Sequence, residues 1–332
     1  MRPSTRFNRA PALLGAAALL TASLAGCSAI PGIGGCQPSY DGGDASSLVT
    51  ATGKVGSEPT VDFPTPLIVG SKPEVSVITP GDGALIGSGD QVDYDFTIVD
   101  AATGESLGGS GYDGEQFSRL AVGLDDNAVG TAFECMNVGS RLAVVSDWAH
   151  AKAAFDPSAE GSIDDEATIV VVVDAIATYL GKADGFNQLP RDGFPTVATA
   201  VDGTPGITVP AAKAPTTSQS ALIKGGDGAK LKADDKAVVH YSLWTWPTTL
   251  GDAPTAVGST WSSDQSATLA LTALSDGGGV PQGLLDALVG QKVGSQVLAI
   301  VPPGDDGFPA GQGPAADDAT YIFVVDLLGI QK

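Results

Sequence analysis

The feature that most constrains the fold of this 332-residue chain is that it repeats itself. Val55-Gly56-Ser57-Glu58-Pro59 is echoed by Val201-Asp202-Gly203-Thr204-Pro205. Gly81-Asp82-Gly83-Ala84 returns as Gly226-Asp227-Gly228-Ala229, Val92-Asp93-Tyr94 as Val239-His240-Tyr241, and Val138-Gly139-Ser140 as Val293-Gly294-Ser295. Ala167-Thr168-Ile169 leads to Val173-Asp174 as Ala319-Thr320-Tyr321 leads to Val325-Asp326. The order is kept and every offset lies between 145 and 155 residues. That is a tandem duplication of one domain-sized unit, because solenoid periods are several times shorter.

Each copy reads as mostly strand. Gly (44) and Pro (22) are frequent, which favours strands and turns over long helices. Ala237 to Leu243 is β-rich and follows the turn chemistry of Gly225 to Gly228. Gln296 to Val301 is a short apolar run closed by Pro302-Pro303, and Tyr321 to Leu328 is apolar and β-branched up to Gly329. One segment differs: Gln282 to Val289 sets Leu284, Leu285 and Leu288 on one helical face, with Pro281 ahead and Gly290 behind. The reading is an α+β class in which each of two tandem domains is a twisted antiparallel sheet wrapped around one short helix. The chain divides into a leader (1–26), a flexible tether (27–46), a first copy (47–182), a linker (183–192) and a second copy (193–332).

The N-terminus points to export. Arg2, Arg6 and Arg9 precede an apolar run from Ala12 to Leu24, too short for a mature membrane span and shaped like a signal-peptide core. Leu24-Ala25-Gly26-Cys27 resembles the bacterial lipobox, which implies lipidation of Cys27 and attachment to the outer face of the cell membrane. The net charge of −21 excludes nucleic acid as a partner, because phosphate contacts require Lys or Arg. Cys36 and Cys135 can oxidise outside the cytoplasm, and the sequence leaves open whether they pair. There is no Cys/His spacing of a metal site, and His150 and His240 are far apart, so no metal or cofactor is expected.

The second copy resembles the FKBP family of peptidyl-prolyl isomerases over about a hundred residues. The matching pieces run in family order: Val238-Val239-His240-Tyr241, Gly258-Ser259-Thr260-Trp261-Ser262-Ser263, Val280-Pro281-Gln282-Gly283-Leu284, Val301-Pro302-Pro303, Gly307-Phe308 and Ala319 to Leu328. The resemblance implies catalysis without nucleophile, metal or cofactor, in an apolar pocket that favours a twisted amide. It places Tyr241, Trp261, Leu284, Phe308 and Phe323 as the catalytic walls and floor, and Leu269, Leu271, Val280 and Pro281 as substrate-binding residues. It implies proline-containing exported polypeptides as partners and makes FK506-like macrolides candidate ligands.

Two departures stand against full activity. Ser262 occupies a position where the family commonly has Asp. Pro281 lacks the N–H that, in the family, donates to a bound carbonyl, and the absent bond is worth about 1 kcal/mol. The first copy keeps Tyr94 but has Leu107 at the wall and Val129 at the floor, with Gly130 inside its helix (Asn127 to Cys135) and few aromatic walls. It is expected to be catalytically silent, a spacer or protein-binding module. The two functions weighed are a prolyl isomerase for exported proteins and a non-catalytic chaperone or binding lipoprotein on the same scaffold.

Overall fold

A computed structural model describes residues 36–123, 127–155, 163–263, 265–274, 278–304, 307–309 and 311–332. The leader, Cys27 and the first part of the tether lie outside the described residues, as do Asp305 and Asp306. The chain is mostly antiparallel sheet with few helices.

In the N-terminal half, a hairpin of β1 (Thr50–Thr52) and β2 (Thr60–Asp62) precedes β3 (Glu74–Thr79), β4 (Gln91–Asp100), β5 (Ser106–Gly109) and β6 (Ser118–Ala121). Helix α1 (Ala128–Ala132), β7 (Arg141–Asp147), the one-turn α2 (Trp148–Ala151) and β8 (Thr168–Tyr179) complete it. The main sheet runs β3-β7-β8-β4-β5, with β6 also on β4. In the C-terminal half, β9 (Phe186–Asn187) is followed by the hairpin of β10 (Thr196–Thr199) and β11 (Pro205–Thr208). Then come β12 (Gln219–Gly225), β13 (Lys236–Thr245), β14 (Thr255–Ser259), β15 (Ala267–Ala270), α3 (Gln282–Leu288), β16 (Gln296–Val301) and β17 (Tyr321–Gln331). Its sheet runs β9-β12-β16-β17-β13-β14, with β15 on β13. Apart from β9 and the one-turn α2, the two halves share one element order and one strand order, the structural counterpart of the repeat.

Burial explains the composition of the long strands. Ile169, Val171 and Val173 of β8 enter one core with Val129 and Ala132 of α1. Val170 and Val172 enter a second with Ala51 and Val61 of the hairpin. Likewise Phe323, Val325 and Leu327 of β17 join Leu284 and Leu288 of α3, while Ile322 and Val324 meet Val197 and Ile207. Both faces of these strands are covered, so their sequences are apolar without alternation. The helix α3 ends where expected: Gly290, just past it, has φ +91°, the left-handed conformation that glycine adopts at no steric cost.

The repeated Gly-Asp-Gly-Ala motif has a contact reason. A Cβ on Gly81 would lie 2.3 Å from the Val138 carbonyl oxygen, and one on Gly226 2.2 Å from that of Val293. Each of these glycines donates its N–H to a serine hydroxyl of the paired segment, Gly81 to Ser140 at 2.9 Å and Gly226 to Ser295 at 3.0 Å.

Two segment assignments need correction. Residues 36–46 are not free tether. Cys36 is disulfide-bonded to Cys135, Tyr40 packs on the core, and the Ala45 and Ser46 amides donate to the Glu74 carboxylate. Their buried amides find an acceptor only by docking on β3. Residues 183–192 are not simply a linker either: Ala183 is buried and β9 adds an edge strand beside β12. The halves also touch, with the Leu180 amide donating to the Leu328 carbonyl at 3.2 Å, and Tyr179, Val238 and Leu328 in one small cluster.

Each last strand carries a buried carboxylate. Asp174 is held by both Nε and Nη2 of Arg141 at 2.6 Å, with both side chains fully buried. Arg141 Nη2 also donates to the Lys54 and Ser57 carbonyls, and the Gly56 amide donates to Asp174, so the pair ties the hairpin loop to the sheet. In the C-terminal half Gln296 replaces the arginine, donating to Asp326 at 2.8 Å, and burial pushes the Asp326 carboxyl above its usual range. Arg141→Leu leaves Asp174 buried and unpaired, and is expected to cost about 3–5 kcal/mol, read as a lower urea midpoint for unfolding of the N-terminal half.

Candidate functional site

Between the concave face of the C-terminal sheet and α3 lies a cavity of about 440 Å³. Strand alternation aims its walls. Tyr241 and Leu243 of β13, two residues apart, share a face, as do Phe323 and Val325 of β17. Val257 and Gly258 of β14 and Leu269 of β15 line one side. Val280, Pro281 and Leu284 bring in the start of α3, and Phe308 with Gln312, Gly313 and Pro314 forms the overhanging loop. Among the described residues no charged side chain lines the cavity. Phe308 meets Tyr321 edge-on at 4.9 Å and Phe323 at 6.5 Å between ring centroids, so the loop aromatic is seated by two strand aromatics.

Of the residues named from the sequence, Tyr241, Leu269, Val280, Pro281, Leu284, Phe308 and Phe323 come together here. Trp261 does not. It sits in the turn after β14 and stacks on His240 at 4.2 Å. His240 precedes Tyr241 on β13 and therefore points to the opposite face, so Trp261 follows it away from the cavity. The loop of the β10–β11 hairpin closes over the indole, since a Cβ on Gly203 would lie 2.4 Å from it. Val257 takes the wall instead. Leu271 is also corrected: it is fully buried and packs in the core rather than lining the cavity. Leu243 and Val325 are lining residues that the period-two pattern could have supplied. Gln312, Gly313 and Pro314 carry no such signal.

The polar groups at the cavity are few. The Val280 amide is already spent on the Thr272 carbonyl, at 3.0 Å, and Pro281 has no N–H to offer. Tyr241 brings a hydroxyl and Gln312 a carboxamide. Among the described residues no group of three or more His, Cys, Asp or Glu side chains could hold a metal ion.

The equivalent place in the N-terminal half is filled, and by aromatics, contrary to the expectation of few aromatic walls. Tyr94 is fully buried, contacts Phe96 and Phe133, and donates its hydroxyl to the Ala154 carbonyl. Phe155 packs on Phe96 at 4.7 Å and stacks on Trp148 at 5.7 Å. The segment after β7 thus folds inward as a plug, where the segment after β16 overhangs an open cavity.

No family model matches the chain, and no curated protein matches it. An antiparallel sheet curled over one short helix, with an apolar-walled cavity between them, is the class of structure defined by the C-terminal half. Solved structures similar to the chain are FKBP-type proteins. The three FKBP domains of wheat FKBP73 share 15% identity over 78% of this chain and 95% of that one, with a TM-score of 0.31. FkpA from Escherichia coli shares 18% over 42% and 53%, with a TM-score of 0.28. A multi-domain immunophilin from Arabidopsis thaliana shares 20% over 36% and 44%, with a TM-score of 0.29. This chain therefore spans about half the length of the last two. The chemistry of the site rests on its own geometry.

His240, behind the cavity wall, is 2% exposed, and burial lowers its pKa from 6.5 to about 4. The unfolded chain then takes up the proton first, so stability is lost as pH falls from about 6.5 and the loss levels off near 4. Urea midpoints measured across that interval should fall more steeply for the wild-type chain than for His240→Gln.

Proposed function

We propose that this chain is a peptidyl-prolyl cis–trans isomerase of the FKBP type, with two tandem FKBP-like domains, the first degenerate, and with its working pocket in the second. The observation that carries this is the apolar, aromatic-walled cavity over the start of α3. Rotation about an Xaa–Pro bond must break amide resonance against a barrier of about 20 kcal/mol. The twisted amide is less polar than the planar one, so a water-poor apolar pocket favours it over the ground state. Tyr241, Phe308 and Phe323 grip the proline ring, Leu284 floors the site, and the Tyr241 hydroxyl and the Gln312 carboxamide are the donors within reach of flanking carbonyls.

Proline isomerisation is slow enough to limit folding of exported chains, which suits a lipid anchor at Cys27 on the extracytoplasmic face. No helix among the described residues is long and apolar enough to cross a membrane; the anchor proposed is the lipid on Cys27. A second reading, a non-catalytic chaperone or binding lipoprotein, is favoured by Pro281, which removes a donor from the lip of the pocket.

Residues 28–332 should accelerate isomerisation of Xaa–Pro tetrapeptides above the thermal rate, and Tyr241→Ala with Phe308→Ala should remove at least about tenfold of that acceleration, the loss of roughly 1.4 kcal/mol. No acceleration across a range of residues before proline would sink the isomerase reading and leave the binding protein. For the anchor, full-length chain should sediment with membranes and Cys27→Ala should not.

A further inference from the structure

The N-terminal half reaches the back of the pocket through Gln91. Gln91, at the start of β4, is 1% exposed. Its Oε1 accepts from the Ser266 amide at 3.3 Å and from the Ser266 hydroxyl at 3.0 Å. A backbone N–H can only donate, so these contacts fix the orientation of the carboxamide and turn Nε2 toward the other neighbour, His240 Nε2, at 3.5 Å. As Gln91 Nε2 can only donate, His240 Nε2 is the bare acceptor and Nδ1 carries the proton. That proton goes to Thr260 Oγ1 at 2.9 Å, the same oxygen that accepts the Tyr241 amide at 2.9 Å. The neutral ring this requires agrees with the depressed pKa of His240.

Gln91 therefore holds both ends of one arc of the pocket wall. One branch grips Ser266, just before the strand that carries Leu269. The other runs through His240 and Thr260 to the backbone of Tyr241. A second strut lies alongside: Arg119 of β6, paired with Asp93 at 2.6 Å, donates to the Thr268 hydroxyl at 2.9 Å, next to Leu269.

We propose that the N-terminal half is a buttress for the pocket of the C-terminal half, with Gln91 as a positioning residue that sets Leu269 and Tyr241 through Ser266 and the His240–Thr260 pair. This builds on the isomerase reading for its kinetic consequence only, since the placement of the wall is measurable without catalysis. It replaces the picture of the first copy as a mere spacer: its own pocket is plugged, and its opposite surface supports its neighbour.

The test uses residues 28–332 with methyl and amide NMR and an Ala-Leu-Pro-Phe tetrapeptide substrate. Gln91→Ala should shift the Leu269 methyl and Tyr241 amide resonances while leaving Leu298 and Ile300 on the far face of the sheet unmoved, and should raise KM about tenfold, the scale of a sub-ångström misplacement. Gln91→Glu is the near-isosteric second variant. It keeps the Ser266 contacts but opposes a carboxylate to the bare His240 Nε2, so the His240 pKa should rise from about 4 and the Tyr241 amide should titrate with it. The other charged groups nearby are Asp90, Lys182, Asp184 and Asp202 around the adjoining cavity and Asp326 beside His240 on β17, and both chains share them. Unmoved Tyr241 and Leu269 resonances in a folded variant overturn the buttress. Shifted resonances in a chain whose wild type shows no turnover uphold the buttress and reject the isomerase alone.

Discussion

Two strands that must be dry on both sides organise everything else. β8 and β17 each lie between two neighbours, paired with one along nearly the whole strand and with the other along its first half, and apart from Asp174 and Asp326 their paired central side chains are apolar on both faces. A helix and a following segment cover one face, and an N-terminal hairpin covers the other. Burial of a Val, Ile or Phe side chain is worth about 1.5–3 kcal/mol, so a strand with one face left wet would forfeit much of its contribution. The hairpins are thus integral to the sheet, and the polar bonds that hold their loops, above all those of Arg141, act on elements the core already requires.

The duplicated scaffold has diverged where it is least constrained. Strand order, buried carboxylate and glycine turns are shared, because each is enforced by direct contact. The segment that follows β7, and its counterpart after β16, is not so enforced. In the first copy it carries Trp148 and Phe155 inward, while in the second Phe308 stays at the rim, braced by Tyr321. One scaffold therefore yields a filled core and an open cavity through the placement of two or three aromatic rings.

Much of this was legible in the sequence, and the exceptions share a cause. The repeat and the helix stopped at Gly290 follow from local pattern, and the placing of Tyr241, Leu284 and Phe323 follows from the ordered resemblance to the FKBP family. Trp261 does not, since its direction is decided by a turn and by stacking on a histidine of the opposite face. Leu271 looks equivalent to Leu269 by period, but lies deeper. Trp148 and Phe155 sit in a segment with no strong periodicity, and their partners are distant in the chain. Residues 36–46 and 183–192 read as connectors because they are short and polar or Gly-rich, yet the Ala45, Ser46 and Ala183 amides find their acceptors on the finished sheets.

The bond between Cys36 and Cys135 spans 99 residues, and its position in the chain gives the oxidised protein an unusual outline when unfolded. The closed ring contains β1 to β6 and α1, while β7 and β8 lie on the tail beyond it. On the chain-entropy account, such a ring deprives the unfolded state of about 4.7 kcal/mol of freedom. Both cysteines precede β7 and β8, so the ring can be shut before the tail has emerged. The N-terminal sheet is then a lariat whose tail supplies its own centre, and its two middle strands must lie down between edges that are already tied together.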